Sequence, residues 1–319
     1  MKISFGTRIA SDTITGKNGY GYATQMMLAS LNRLGYQVSD NDSSADVEIW
    51  FDQPQNWKID PDKYTIGYHP WESTKLKDGW VEIMNQCDEI WTPSPLIAQW
   101  YVEDGITVPI YVYEHGIDHF WQPVKREPEH TIKFLHVGAE ASRKGGWDVR
   151  REFKRAFPNR TDVRLTMKMV DSPWINIDTP RVRVINKNYN LRQMRMLFYT
   201  HDVYVYPSWG EGFGLTPLQA LATGMPTICT EAWAPYARFL DPKLALDSEL
   251  KNHAWGGVHP GKMFRPDFDQ LIDHMRYVVN NYDEARDSAA SQALDVHRAY
   301  DWDLLTKDAF SALEERLKK

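Results

Sequence analysis

Short apolar runs along this chain alternate with longer stretches whose apolar positions recur every three or four residues. In the first half, "KISFG", "VEIWF", "YTIGY", "DEIWTPS" and "PIYVYEHG" predict strands. "ATQMMLASLNRLGY" places Met26, Met27, Leu31 and Leu34 in one helical stripe. The second half repeats the scheme with "IKFLHVG", "VRLTMKM", "VRVIN", "DVYVYPS" and "PTICT", separated by helical stretches such as "WDVRREFKRAF" and "LRQMRMLFYT". Three helical segments come after these, ending in "YDWDLLTKDAFSALEERLKK". Buried strands alternating with helices predict parallel sheets covered on both faces, twice over. The polar, proline-containing "WQPVKREPEHT", residues 121 to 131, reads as the linker. The expected domains are therefore 1–122 and 130–300.

Composition narrows the class. At 319 residues and 42% hydrophobic, the chain suits two α/β domains of ordinary size. Its first residues lack an apolar leader and no run has a membrane-spanning length, so a cytoplasmic protein is expected. Cys87 and Cys229 stand apart from each other and from any histidine cluster; they read as reduced packing residues, and no metal site is expected. The net charge of -6 is uneven. Through residue 120 there are 8 Lys and Arg against 17 Asp and Glu, and afterwards 29 against 26. The basic excess peaks in "RKGGWDVRREFKRAFPNR", where an anion such as a diphosphate would be drawn in. Arg150, Arg151, Lys154 and Arg155 within it fit a solvated helix face better.

Three stretches at predicted strand ends carry candidate chemistry. In "EGFGLTPLQALATG", Gly212 and Gly214, with Gly210 just before, allow a sharp turn and a close approach of backbone to ligand, and Leu215 to Ala222 continues as a helix. Glu211 in that turn is suited to accept hydrogen bonds from sugar hydroxyls; a tight turn with a solvent-facing acid fits the spacing as well. "TGKNGYGYA" holds Gly16 and Gly19, with Lys17 able to add charge, and it fits a phosphate loop or a plain loop equally. "GYHPWEST" offers His69 and, secondarily, Glu72. Among thirteen tryptophans, Trp71 and Trp209 adjoin these stretches; the rest read as packing residues.

Taken together, "PSWGEGFGLTPLQALATGMPTI" resembles the nucleotide-sugar signature of the family-four retaining glycosyltransferases (glycosyl transferases group 1). "HVGAEASRKGGWDVRREFKRAF", "DEIWTPSPLIAQWY", "YVYEHGIDHFWQP" and "MFRPDFDQLIDHMRYVVNN" are similar to that family's other segments, in order along nearly the whole chain. The resemblance implies a GT-B fold: two Rossmann-like doubly wound domains facing a cleft, with a C-terminal helix, about 301–319, crossing back to the first domain. It implies that Glu211 meets the donor sugar, that Lys144 grips the diphosphate with Arg143 as helper, and that Gly212, Phe213, Gly214 and Leu215 turn their backbone to the ligand. It further implies a role for His69 with the donor sugar or the acceptor. The chain departs from the pattern twice. Gln219 stands where the family has its second acid, usually on the ribose, and Ala139 stands where many members have an arginine.

For the reaction, the resemblance implies a metal-independent, retaining transfer from a nucleoside-diphosphate sugar, UDP foremost, to a hydroxyl acceptor. The expected acceptor is a saccharide, a lipid-linked molecule or a small molecule, with a modified DNA base as the alternative. Ala139 and Gln219 leave open a non-catalytic carbohydrate- or nucleotide-binding protein on the same fold. A phosphorylase or epimerase fits the matched segments less well.

Overall fold

The structure, a computed structural model, describes residues 1–6, 19–39, 42, 44–127, 130–139, 142–170, 178–253 and 258–318. The chain divides into two units. Unit 1 comprises Met1–Asp118, Val258–Gly261 and Tyr300–Lys319, and unit 2 comprises His119–Gly257 and Lys262–Ala299.

Unit 1 is built on six parallel strands: β1 (Lys2–Gly6), β2 (Gln37–Ser39), β3 (Val47–Phe51), β4 (Tyr64–Tyr68), β5 (Glu89–Thr92) and β6 (Ile110–Val112). Their order is β2-β1-β3-β4-β5-β6. Helices α1 (Gly19–Arg33), α2 (Trp80–Met84) and α3 (Pro95–Asp104) join them. Buried Met27 and Leu31 of α1 pack with Ile3, Ile49, Ile66 and Trp91, each large side chain contributing roughly 1.5–3 kcal/mol by leaving water.

The C-terminal helix, α9 (Trp302–Leu317), belongs to this unit and packs on α1. Trp302 and Phe310 enter the core. Ser30 Oγ donates to Asp303 at 2.6 Å, and Arg33 pairs with the same carboxylate. Near the end of the helix, Arg316 donates through Nη2 and Nε to Glu89 at 2.8 and 2.9 Å.

Unit 2 repeats the plan with β7 (Ile132–Gly138), β8 (Val163–Met169), β9 (Val182–Ile185), β10 (Val203–Tyr206), β11 (Thr227–Thr230) and β12 (Ala245–Leu246). The order is β12-β11-β10-β7-β8-β9, all parallel. Counted from β7, this is the Rossmann order 3-2-1-4-5-6, whose crevice opens between the first and fourth strands. Helices α4 (Gly146–Ala156), α5 (Leu191–Thr200), α6 (Leu215–Ala222), α7 (Phe268–Asn280) and α8 (Tyr282–Ala299) flank the sheet. Val149, Phe153 and Ala156 give α4 its buried stripe against Phe134, Leu165 and Met275, while Arg151, Lys154 and Arg155 are exposed, as the charge pattern predicts.

Two stretches differ from the sequence reading. Part of "MFRPDFDQLIDHMRYVVNN", which lies after the last strand predicted from the sequence, where only helices are expected, is strand: β14 (Lys262–Pro266) pairs antiparallel with β13 (Ser248–Asn252). Helix begins only at Phe268, where the Asp267 side chain accepts the backbone N–H groups of Asp269 and Gln270 at 3.0 Å. The stretch read as a linker is tied into unit 2. Arg126, 4% exposed, donates to the carbonyls of His201, Phe198 and Thr223, and Val124 N donates to Thr223 O at 3.1 Å. A buried guanidinium needs such acceptors, and a free linker offers none.

Candidate active site

In unit 2 the crevice lies between β7 and β10, where registered pairing stops at Phe134–Val203 and Leu135–Tyr204. Beyond that point His136 supplies a substitute, its Nδ1 lying 2.9 Å from the Val205 carbonyl. A carbonyl only accepts, so Nδ1 carries the proton and Nε2 keeps a lone pair. Nε2 is buried and has no hydrogen-bond partner among the described residues. Burial above all brings the His136 pKa down to about 4, against the bond to Val205; the Lys144 charge lowers it further. The ring is therefore neutral, stacked on Tyr206 at 5.7 Å.

The turns after β7 and β10 interlock beside this histidine. Gly145 has φ 72°, and a Cβ there would sit 2.5 Å from the Pro207 carbonyl, so only glycine fits. Arg143 O accepts Trp209 N at 2.9 Å, and its guanidinium Nη1 donates to the Gly210 carbonyl and, at 3.1 Å, to Glu211 Oε1. Lys144 Nζ reaches both Glu211 oxygens, at 3.0 and 3.1 Å, and donates to Tyr206 Oη at 2.9 Å. Tyr206 Oη and Ser208 Oγ each donate to Glu211 Oε1 at 2.9 Å. Burial pushes the Glu211 carboxyl up, but the Lys144 and Arg143 charges with these hydrogen bonds outweigh it, and its pKa falls to about 2.

Gly214, at φ 83°, caps the start of α6, and a Cβ there would meet Tyr236 Oη at 2.5 Å and Trp233 at 2.6 Å. Tyr236 Oη donates to Gly214 O at 2.6 Å, and Trp233 Nε1 to Ser208 O at 2.8 Å. Gly212 and Phe213 are buried in this turn, Leu215 opens α6 half-buried, and Gln219 is 5% exposed within the helix. Ala139 is exposed after β7. Trp209 is half-buried against the unit 2 core, with His253 at 4.6 Å.

In unit 1, His69 follows β4. Its Nδ1 lies 3.1 Å from Asp52 O and 3.4 Å from Tyr20 Oη, so it too carries its proton on Nδ1. Nε2 is buried without a hydrogen-bond partner among the described residues, and burial brings the pKa to about 3. Trp71, expected beside a site, is 2% exposed and packs on Trp80 and His259, which denies a sugar its face. Glu72 lies 3.5 Å from His259 Nδ1. Gly19 is the exposed first residue of α1; Gly16 and Lys17 lie outside the described residues.

Of the residues named from the sequence, the structure brings Glu211, Lys144 and Arg143 together, while His69 lies in unit 1; His136, Tyr206 and Ser208 were missed as neighbours of the acid. The one available signal for His136 was a polar residue inside an apolar strand. A groove elsewhere in unit 2, lined by Arg151, Arg155, Glu249 and Arg265, is internally compensated, because its arginines pair with Glu152 and Glu249. Among the described residues, no group of three or more His, Cys, Asp or Glu side chains is arranged to hold a metal ion, and no helix is long and apolar enough to cross a membrane.

Comparison with solved structures finds the same fold in sucrose-phosphate synthase from Thermosynechococcus elongatus, with a TM-score of 0.71 and 11% identity over 100% of this chain and 99% of that one. The lipopolysaccharide outer core galactosyltransferase WaaB, in its apo form, gives 0.65 and 16% over 99% and 100%. TarM gives 0.63 and 12% over 83% of this chain, which spans about half, 54%, of the TarM chain. At such identities the likeness shows the GT-B fold alone. A comparison with curated protein sequences finds no match. Residues 125–308, more than half of the chain and including both turns of the Glu211 cluster, match the family described as "Family 4 Glycosyltransferase in conflict systems", and the chain belongs to that family.

Proposed function

We propose that this protein transfers a sugar from a nucleoside-diphosphate sugar, UDP foremost, to an acceptor hydroxyl with retention of configuration. The observation that carries the reading is the buried Glu211–Lys144–Arg143 cluster at the unit 2 crevice. It joins two cations, suited to a diphosphate, to an ionised acid suited to sugar hydroxyls. In the reaction, the bond from the sugar's anomeric carbon to the leaving phosphate oxygen breaks. The bond to the acceptor oxygen forms on the same face, and the acceptor's proton passes to the departing phosphate. Lys144 and Arg143 offset the charge that grows on that phosphate, and Glu211 holds the sugar. His69 Nε2, with its lone pair, is suited to accept a hydrogen bond from a sugar or acceptor hydroxyl.

Saccharides, lipid-linked molecules and small molecules are the acceptor classes to try first, with a modified DNA base as the alternative. Free, buried Cys87 and Cys229 accord with a cytoplasmic setting. Gln219, neutral where the family has its second acid, favours a second reading as a non-catalytic binding protein.

Thermal shift with UDP-, GDP- and ADP-sugars, then assay of nucleotide release, tests both. The expected outcome is a shift of several degrees with one donor, lost in Lys144→Ala, and turnover above background. Tight donor binding with no release under any acceptor would select the binding protein. No shift with any donor would overturn both readings.

A further inference from the structure

Between Asp178 and Asp202 the chain carries five cations, Arg181, Arg183, Lys187, Arg192 and Arg195, and no carboxylate. The sheet adds two more. Lys133 of β7 pairs in register with Arg164 of β8, and Thr166, two residues on, pairs with Arg183 of the edge strand β9. With side chains alternating along a strand, Lys133, Arg164 and Arg183 leave the same face on three neighbouring strands. Lys133, Arg164, Arg183, Lys187 and Arg192 are exposed.

Among the described residues, none of these seven cations forms an ion pair, whereas Arg151, Arg155, Arg160, Arg276, Arg286 and Arg298 of the same unit all do. The neighbouring carboxylates are engaged elsewhere. Asp178 accepts Val184 N at 2.7 Å, Asp202 accepts Lys133 N at 2.8 Å, and Asp162 is held by Arg160. A chain of net charge -6 thus leaves seven cations of unit 2 outside any ion pair among the described residues, an arrangement suited to a partner that presents negative charge at many points.

We propose that this strip docks the phosphodiester backbone of a nucleic acid without reading its sequence. Five of the seven cations are arginines, whose planar fork matches phosphate oxygens. Arg195 lies over Phe120 at 4.1 Å, an aromatic and cationic pairing of the kind that nucleic-acid surfaces use. A membrane fits less well, because Met196 is the one large hydrophobic side chain exposed in the 179–201 segment. Arg181 precedes the edge strand β9, Arg183 lies on it and Lys187 follows it, with Arg192 in the first turn of α5, so the strip runs along that edge of the sheet, whereas the Glu211 cluster lies at the crevice between β7 and β10, on the far side of β8. The proposal concerns this edge of the sheet alone and does not depend on sugar transfer.

The test is fluorescence anisotropy of a mixed-sequence 30-bp DNA duplex with the full chain, from 50 to 200 mM salt, beside the triple variant Arg183→Gln, Lys187→Gln, Arg192→Gln. Circular dichroism melting checks that the variant folds; Glu211→Gln serves as the control for the other site. Binding should weaken steeply with salt. In the triple variant it should fall at least tenfold at 50 mM, with the log–log salt slope smaller by about 2.7 for three lost phosphate contacts. Glu211→Gln should bind as the wild type does, whatever its effect on donor. No binding at 50 mM salt, unchanged binding in the triple variant, or binding to phosphatidylserine vesicles but not to DNA would each overturn the proposal.

Discussion

Lys144 Nζ bridges both carboxylate oxygens of Glu211, at 3.0 and 3.1 Å, although the two residues are 67 positions apart on turns that follow different strands. Under the proposed function, a donor diphosphate would compete with an internal acid for this lysine. Glu211 is buried and Lys144 half-buried; removing the acid leaves two cations facing one another, and removing the lysine leaves the acid with Arg143 as its remaining cation. Lys144→Met and Glu211→Gln should each destabilise by about 1–3 kcal/mol, with a coupling of about 0.5–3 kcal/mol in the double variant. Urea unfolding of the four proteins measures this, and additive effects would mean that the two side chains do not interact in solution.

Acid should weaken the fold through its buried histidines. Burial foremost lowers the pKa of His69 and His115 to about 3, and of His136 and His201 to about 4. The unfolded chain takes up these protons near the ordinary value of about 6.5, while the folded chain refuses them. Stability is therefore complete above about pH 6.5 and falls as pH drops below it. At pH 5.5 the loss is about 1.4 kcal/mol for each histidine. Glu211, with its pKa near 2, contributes stability above its unfolded value and loses it only at lower pH still. Melting scans from pH 7.5 to 5.5 should show a steep decline, and a flat profile would contradict the burial of these rings.

His69 offers a separation of structure from chemistry. Asn at this position can still donate an N–H to the Asp52 carbonyl, which His69 Nδ1 approaches at 3.1 Å, but it has nothing in the place of Nε2. If Nε2 engages substrate, His69→Asn should lower kcat/KM for transfer by roughly 10- to 1000-fold, with stability changed by about 1 kcal/mol or less. Unaltered kinetics would reduce His69 to a packing residue.

Strands buried on both faces were legible because their runs are rich in β-branched and aromatic residues, as "VYVY" in β10 and "TICT" in β11 show. The β13–β14 pair was not, because β13 is mostly exposed and "SELKN" has no apolar face to signal a strand. At the site, Glu211 was legible as an acid in a strand-to-helix turn, and Lys144 through the family resemblance. Their mutual contact was not, since it depends on β7 and β10 being neighbours, a fact of sheet order rather than of spacing. His136 escaped notice for the same reason, its role being to replace a ladder bond that stops at Leu135.

Arg316 and Glu89 fasten α9 to the unit 1 sheet. Glu89 is 1% exposed and takes two bonds from Arg316, with a third from Trp91 Nε1 at 2.8 Å. Burial first, then the Glu89 charge, pushes the neighbouring Tyr64 hydroxyl up to about 12, so it stays a donor. Arg316→Ala would strand a buried carboxylate and should cost about 3–5 kcal/mol. Adding Glu89→Gln to that variant removes the stranded charge while keeping an oxygen for Trp91, and should recover a large part of the loss. Urea midpoints at pH 7 read both effects. A small cost in the single variant would mean that α9 is held by Trp302 and Phe310 packing alone, whereas failure of the second substitution to recover stability would assign the loss to the arginine's contact with the Tyr111 ring, 3.7 Å away.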